Sequence, residues 1–235
     1  MARRTKRDTL KRSLVVGTNP SSVVSEQFRS IRTNIMYAGV QKEITAVLFT
    51  SDTPVAGKST VAANMAVAYA QAGKKTLLLD ADLRRPTGHH TFEVSNRVGL
   101  STAIVNEIPV SQVISKTNFD HLDLLTSGPV PPNPAELLSA AKFDAIMIHL
   151  KTQYDMVIID SPPILSVTDA QLLSKNADGV VLVTNVEKNN RDRLNEAIEL
   201  LGKSKANIIG IVLNHRKKKS KKEDYRYFYQ ASADA

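Results

Sequence analysis

The chain has no cysteine and no tryptophan among its 235 residues, and aromatic residues make up only 5% of it. Without cysteine there can be no disulfide framework, no thiolate nucleophile and no Cys-bearing zinc site. Long apolar runs are missing as well: none approaches the ~20 residues needed to span a bilayer. The basic stretch Met1–Arg12 is not followed by the apolar core of a signal peptide. These absences predict a cytoplasmic protein that folds without covalent staples. A chain of this length can bury roughly 70% of its unfolded surface in a single domain.

Charge is present in excess but unevenly placed. The net charge is +8, and residues 1–13 and 216–226 each carry +5, so the body between them is near neutral. Two basic ends suit an anionic membrane face, at about 1 kcal/mol per basic residue near the surface. The same charge would serve nucleic acid, and solvated, unstructured ends are the plainer reading. The composition divides the chain into a basic segment 1–18, a central domain 19–215 and a basic, tyrosine-rich tail 216–235.

The central domain is organised around Thr50–Ala70. An apolar, β-prone run (Ile44, Ala46, Val47, Leu48, Phe49) leads into Gly57-Lys58-Ser59, and a helix-forming segment with Val61, Met65, Val67 and Ala68 follows. Strand, loop and helix in this order are the P-loop layout. A helix N-terminus presents unpaired N–H groups and partial positive charge, so it holds phosphate. Lys58 can reach the β and γ phosphates, and the Ser59 hydroxyl can ligate Mg²⁺. The loop departs from the full G-x-x-x-x-G-K-[ST] pattern: Asp52 replaces the first Gly, and Val55 lies where the backbone is expected to need φ > 0. A β-branched residue resists that conformation.

Carboxylates follow at two further strand ends. Thr76–Asp80 reads as a buried parallel strand, and Asp80-Ala81-Asp82 places two acids at its C-terminal edge, where open parallel sheets bind ligands. An isolated D-x-D is more often a turn; one strand after a P-loop it reads as a site. Tyr154–Asp160 repeats the pattern, with four apolar residues ending on Asp160, the Walker B layout that orients Mg²⁺. Residues 121–125, 179–184 and 207–214 read as further strands, with a helix through Leu194, Ile198 and Leu201. The expectation is a P-loop NTPase-type doubly wound α/β sheet of about seven parallel strands, with helices on both faces.

Outside this frame, residues 87–120 carry little pattern. His89 and His90 have neither cysteine nor spaced acidic partners to make a metal site. Met147 and Ile148 read as ordinary core. Phe28, Ile31 and Ile35 form a helical stripe, with Glu26, Arg29 and Arg32 on a neighbouring face. That face is either a solvent-exposed, salt-bridged surface or a contact for a second subunit. In the tail, Tyr225, Tyr227 and Tyr229 alternate behind a lysine run, either as a frayed end or edge strand or as hydroxyls offered to an active site.

With these motifs assembled, the chain resembles the cytoplasmic bacterial tyrosine kinases of Gram-positive capsule and exopolysaccharide operons over nearly its whole length. The resemblance rests on Glu26-x-x-Arg29-x-x-Arg32, Pro54–Ser59, Leu79–Pro86, Ser127–Pro129 with Pro134–Leu138, Val157–Pro163 and the tail tyrosines. It implies ATP and Mg²⁺ as cofactors, with nucleotide contacts from Pro54, Val55, Ala56, Gly57, Lys58, Ser59, Thr60 and Asn214. It makes Lys58, Asp80, Asp82 and Asp160 catalytic, and Ser59, Asp80 and Asp160 metal-binding. It gives Glu26, Arg29 and Arg32 an oligomerisation role, in a ring or a smaller assembly, and makes Tyr225, Tyr227 and Tyr229 autophosphorylation sites. A separately encoded membrane-spanning activator, other protein-tyrosine substrates, a peripheral place at the inner membrane face and no specific nucleic-acid partner complete the expectation. Two departures are visible: Val55 replaces the family's usual Gly, and Asn185 stands where Arg is frequent. Two rival readings are a partitioning or positioning ATPase and a scaffold that does not bind ATP. Members of the first group carry a second lysine early in the P-loop, which this chain lacks.

Overall fold

In the computed structural model, residues 12–40, 43–188 and 191–215 are described. The strands are β1 (Ala46–Ser51), β2 (Thr76–Asp80), β3 (Ile114–Lys116), β4 (Leu122–Leu125), β5 (Met156–Asp160), β6 (Gly179–Asn185) and β7 (Ile208–Asn214). The helices are α1 (Val15–Thr18), α2 (Val23–Ala38), α3 (Lys58–Ala70), α4 (Gly88–Phe92), α5 (Leu100–Val105), α6 (Pro134–Ser139), α7 (Ala141–Gln153), α8 (Asp169–Ser174) and α9 (Arg191–Lys203). The seven strands form one sheet in the order β3-β4-β2-β5-β1-β6-β7. Six run parallel, and β3 pairs antiparallel with β4 at the edge, so the expectation of seven parallel strands is corrected by one. A three-residue strand is too short to show a period, which is why the sequence hides it.

Side chains on a strand alternate between faces, and here that alternation builds two cores. Ala46, Leu48, Leu77, Leu79, Val157, Ile159, Val180 and Leu182 face one layer with α5 to α9. Val47, Phe49, Leu78, Ile158, Val181 and Val183 face the other, with α1 to α4. This is the doubly wound architecture the strand pattern predicts.

The expected apolar side of α3 is an underestimate. Nearly the whole helix is buried, from Val61 to Ala70, because α1 and α2 cover its outer surface. The covering segment is pinned by Asn64, whose carboxamide accepts from Val16 N (3.0 Å) and donates to Ser13 O (2.7 Å). On α7, Met147 is core as expected, but Ile148 is 66% exposed. One residue of rotation carries it past the face that packs on the sheet.

At the N-terminal edge of the sheet, Asp178 ties β1 to β6. One oxygen accepts from Thr45 N, Thr45 Oγ1 and Ala46 N at 2.9–3.0 Å, and the other from Lys151 Nζ at 2.6 Å. Burial opposes its ionisation, but Lys151 and the backbone donors outweigh burial and hold its pKa below the usual value. A depressed carboxylate stabilises the fold above the unfolded pKa and loses that contribution as pH falls through the folded one. Asp178→Ala should therefore cost about 2–4 kcal/mol at pH 7 in urea unfolding, with a smaller difference below about pH 3.5.

Candidate nucleotide and phosphoryl-transfer site

Sheet order assembles the site. β5 lies between β2 and β1, so Asp80 and Asp160 become register partners at the C-terminal ends of adjacent parallel strands. Phe49 of β1 is register partner to Asp160 on its other side, which sets the P-loop next to both acids. Asp82 follows two residues beyond β2. Three acids from distant parts of the sequence thus share one edge with the start of α3.

Lys58 reaches across this edge. Its Nζ lies 3.0 Å from Asp82 Oδ2 and 3.2 Å from Asp160 Oδ1, and donates to Ser59 Oγ at 3.1 Å. All three charged groups are buried. Burial alone would favour a neutral amine, but Asp160 and Asp82 more than offset it and raise the Lys58 pKa, so the ammonium persists. Asp82 is held from behind by Arg85 N (3.0 Å). Asp80 Oδ2 accepts from Thr87 N (3.0 Å) and Gly88 N (2.7 Å) at the start of α4, whereas its Oδ1 is buried with no protein partner. Burial, with Asp160 alongside, pushes the Asp80 pKa up to about 7.

The residues fit a magnesium ion that arrives with a nucleotide. An orphaned buried carboxylate oxygen of Asp80 is a ligand in search of a cation, and Ser59 Oγ accepts from the same Lys58 Nζ that pairs with Asp160. Among the described residues no three acidic, His or Cys side chains form a ready-made metal cage. Mg²⁺ suits that arrangement, since it usually takes one or two protein ligands and completes its shell with phosphate and water.

The loop that leads into α3 has unusual backbone. Gly57 caps α3 at φ +94°, and Val55 adopts φ +65° with its side chain 84% exposed. The positive φ expected at this loop is present, at a cost of order 1–3 kcal/mol for a non-glycine residue. Asn214, at the end of β7, donates from Nδ2 to Ala56 O at 2.9 Å. Asn185, its register partner on β6, accepts from Glu187 N.

Sequence reasoning missed Asp169, which is fully buried and receives Arg84 through two bonds of 2.9 and 3.0 Å. Arg84 anchors the D-x-D loop through this pair; a separation of 85 positions along the chain leaves no local signal. Glu26, Arg29 and Arg32 all make contacts within the chain: Arg29 pairs with Glu26 at 2.6 Å and donates to Pro20 O, and Arg32 donates to Ala68 O. Tyr225, Tyr227 and Tyr229 lie outside the described residues.

A Gly-capped α3 behind β1, a lysine among strand-end acids and a mainly parallel sheet define a nucleotide-binding protein of the P-loop class. A family model described as an AAA domain matches residues 54–210. The chain is 45% identical over 226 residues to tyrosine-protein kinase YwqD of Bacillus subtilis (strain 168), covering 96% of this chain and 95% of that protein. The crystal structure of the chimerical protein CapA2B2 superposes with a TM-score of 0.84 at 45% identity, covering 88% of this chain and 93% of that one. The kinase domain of Escherichia coli tyrosine kinase ETK does so with a TM-score of 0.84 at 32% identity, covering 93% and 86%. The chain belongs to the bacterial tyrosine-protein kinases.

Proposed function

We propose that this protein-tyrosine kinase transfers the γ-phosphoryl group of Mg-ATP to Tyr225, Tyr227 and Tyr229 of its own tail, within a homo-oligomer. The observation that carries the reading is Lys58 Nζ seated between Asp82 and Asp160, at the start of a helix whose N–H groups face the same edge. Lys58 would hold the β and γ phosphates while the P-loop N–H groups fix the triphosphate in line. Ser59, Asp80 and Asp160 would hold Mg²⁺, which supplies charge neutralisation when bound.

Asp82 would take the phenolic proton as the tyrosine oxygen attacks the γ phosphorus and the bridging P–O bond breaks to release ADP. A phenol pKa near 10 makes prior deprotonation unfavourable, so positioning contributes more than basicity. Delivery of the tail from a neighbouring subunit would use the α2 face carrying Glu26, Arg29 and Arg32. Each phosphotyrosine adds about −1.5 to −2 charges next to the lysine run, which would weaken docking and dissociate the assembly.

Control of capsular or exopolysaccharide synthesis, through a membrane-spanning activator on a separate chain, is the cellular role that fits this family. The chain would act at the inner face of the membrane and on other protein tyrosines. Among the described residues no helix is long and apolar enough to cross a membrane, so anchoring would fall to the activator and the basic ends. The test is to incubate the full chain with Mg-ATP and the activator's cytoplasmic segment, following phosphotyrosine and free phosphate together. Phosphotyrosine should appear with little phosphate release. Release stimulated by DNA or lipid, without phosphotyrosine, would assign the chain to the positioning ATPases.

A further inference from the structure

We infer that Asn214 is a positioning residue that holds the strained P-loop in its phosphate-binding shape, rather than a nucleobase contact; the inference rests on the nucleotide-binding reading above. Two observations meet at this point. First, Val55 sits at φ +65° with its side chain almost wholly in solvent, so no packing of its own keeps it there. A β-branched residue relaxes readily to φ < 0 when released, and that rotation would turn the peptide planes on either side of it. Those planes carry N–H groups of the phosphate cradle.

Second, the sheet supplies an external restraint one residue further on. Asn214 Nδ2 donates to Ala56 O at 2.9 Å. A Cβ added to Gly57 would collide with that same nitrogen and fall 3.3 Å from Asn214 Cγ. The carboxamide therefore lies directly on the bare Cα of Gly57 and bonds Ala56, the residue between the two positive-φ positions of the loop. Asn214 is itself carried rigidly, since it ends β7 in register with Asn185 of β6. His215 follows, with Nε2 3.7 Å from the same added Cβ. One N–H of Asn214 Nδ2 is engaged with the carbonyl of Ala56, so Asn214 acts through Ala56 and Gly57.

A base contact and a loop restraint predict different losses. A base contact serves ATP and contributes nothing to inorganic triphosphate. A loop restraint serves every ligand that uses the phosphate cradle, and matters most while Val55 strains it. The experiment uses the full chain and four proteins: wild type, Asn214→Asp, Val55→Gly and the double variant. Asn214→Asp keeps the shape but replaces the donor by an acceptor facing Ala56 O. Affinities for Mg-ATP, Mg-GTP and Mg-triphosphate are measured by calorimetry, alongside KM and kcat for tail labelling.

For Asn214→Asp, the affinities should fall about tenfold for all three ligands alike, from the lost hydrogen bond and the new repulsion. KM for ATP should rise more than kcat falls. Val55→Gly should bind Mg-ATP more tightly than wild type, and in its background the Asn214→Asp loss should shrink to about threefold or less, a coupling that independent sites do not show. Loss confined to ATP, with triphosphate unaffected, would overturn the inference in favour of a base contact. Equal losses in the wild-type and Val55→Gly backgrounds would overturn it as well. If the wild type bound none of the three ligands, the nucleotide reading would fall and take this inference with it.

Discussion

Lys58→Met should reduce tail phosphotyrosine at least about a hundredfold on an immunoblot, in line with the loss of a preorganised charge at a transferring phosphoryl group. The reason is positional. Lys58 is the only cation within hydrogen-bond reach of both Asp82 and Asp160 among the described residues, so no neighbour can substitute for it at the γ phosphate. The substitution also leaves two buried carboxylates without their counter-charge, and a lower unfolding midpoint should accompany the lost activity. Loss of the site can be separated from loss of the fold by mixing. With wild-type enzyme present, the Lys58→Met chain should still be labelled on its tail, because tail and acceptor surface are unchanged and the proposed transfer runs between subunits. Undiminished labelling by Lys58→Met alone would show that the site has been misassigned.

The second large effect runs in the opposite direction for stability. Asp80→Asn should abolish transfer while making the protein more resistant to heat, in buffer containing a chelator and no nucleotide. Asp80 is 1% exposed, stands beside Asp160 in register and has one oxygen without a partner. Burial and Asp160 raise its pKa to about 7. A carboxyl whose folded pKa lies above its unfolded value near 4 stabilises the fold below the unfolded pKa. That contribution is lost as pH rises through the folded pKa. At about pH 8 the wild-type fold therefore bears the cost of a buried anion, on the order of a few kcal/mol, and Asn removes it. Asn can still accept from Thr87 N and Gly88 N. The gain in melting temperature should be small at about pH 5 and widen towards about pH 8.5. A gain that did not change with pH would mean that Asp80 is ionised throughout. The site is in this sense built at the expense of the fold, as expected where charge must be held ready for a ligand.

Much of this architecture is legible in the residues themselves. β1, β2, β5 and β6 are mostly apolar runs because both faces of the sheet are covered, and β2 and β5 each end on an acid of the candidate site. The acids at positions 80 and 160 stand out because a charge at the end of such a run has no structural reason to be there. Val55 is legible as strain, since the loop needs a positive φ and the residue disfavours it.

The parts that stay hidden share a different physics. Ile114–Lys116 becomes a strand only because Leu122–Leu125 offers it an edge. The outer surface of α3 is apolar because α1 and α2 arrive to cover it, which no window of helix periodicity reports. Asp169 meets Arg84, and Asn214 meets Ala56, across the folded sheet. For Asn214 the residue type is informative and its orientation is not: a carboxamide at a strand end can face a base or a backbone carbonyl equally well.

The central claim is that the acids and lysine at one sheet edge move phosphate onto the chain's own terminal tyrosines. It is tested most directly by mass spectrometry of residues 216–235 after the full chain has been incubated with Mg-ATP and the activator's cytoplasmic segment. The account predicts phosphate on Tyr225, Tyr227 and Tyr229, lost when Mg²⁺ is chelated. A tail that stays unmodified while ATP is consumed would contradict it.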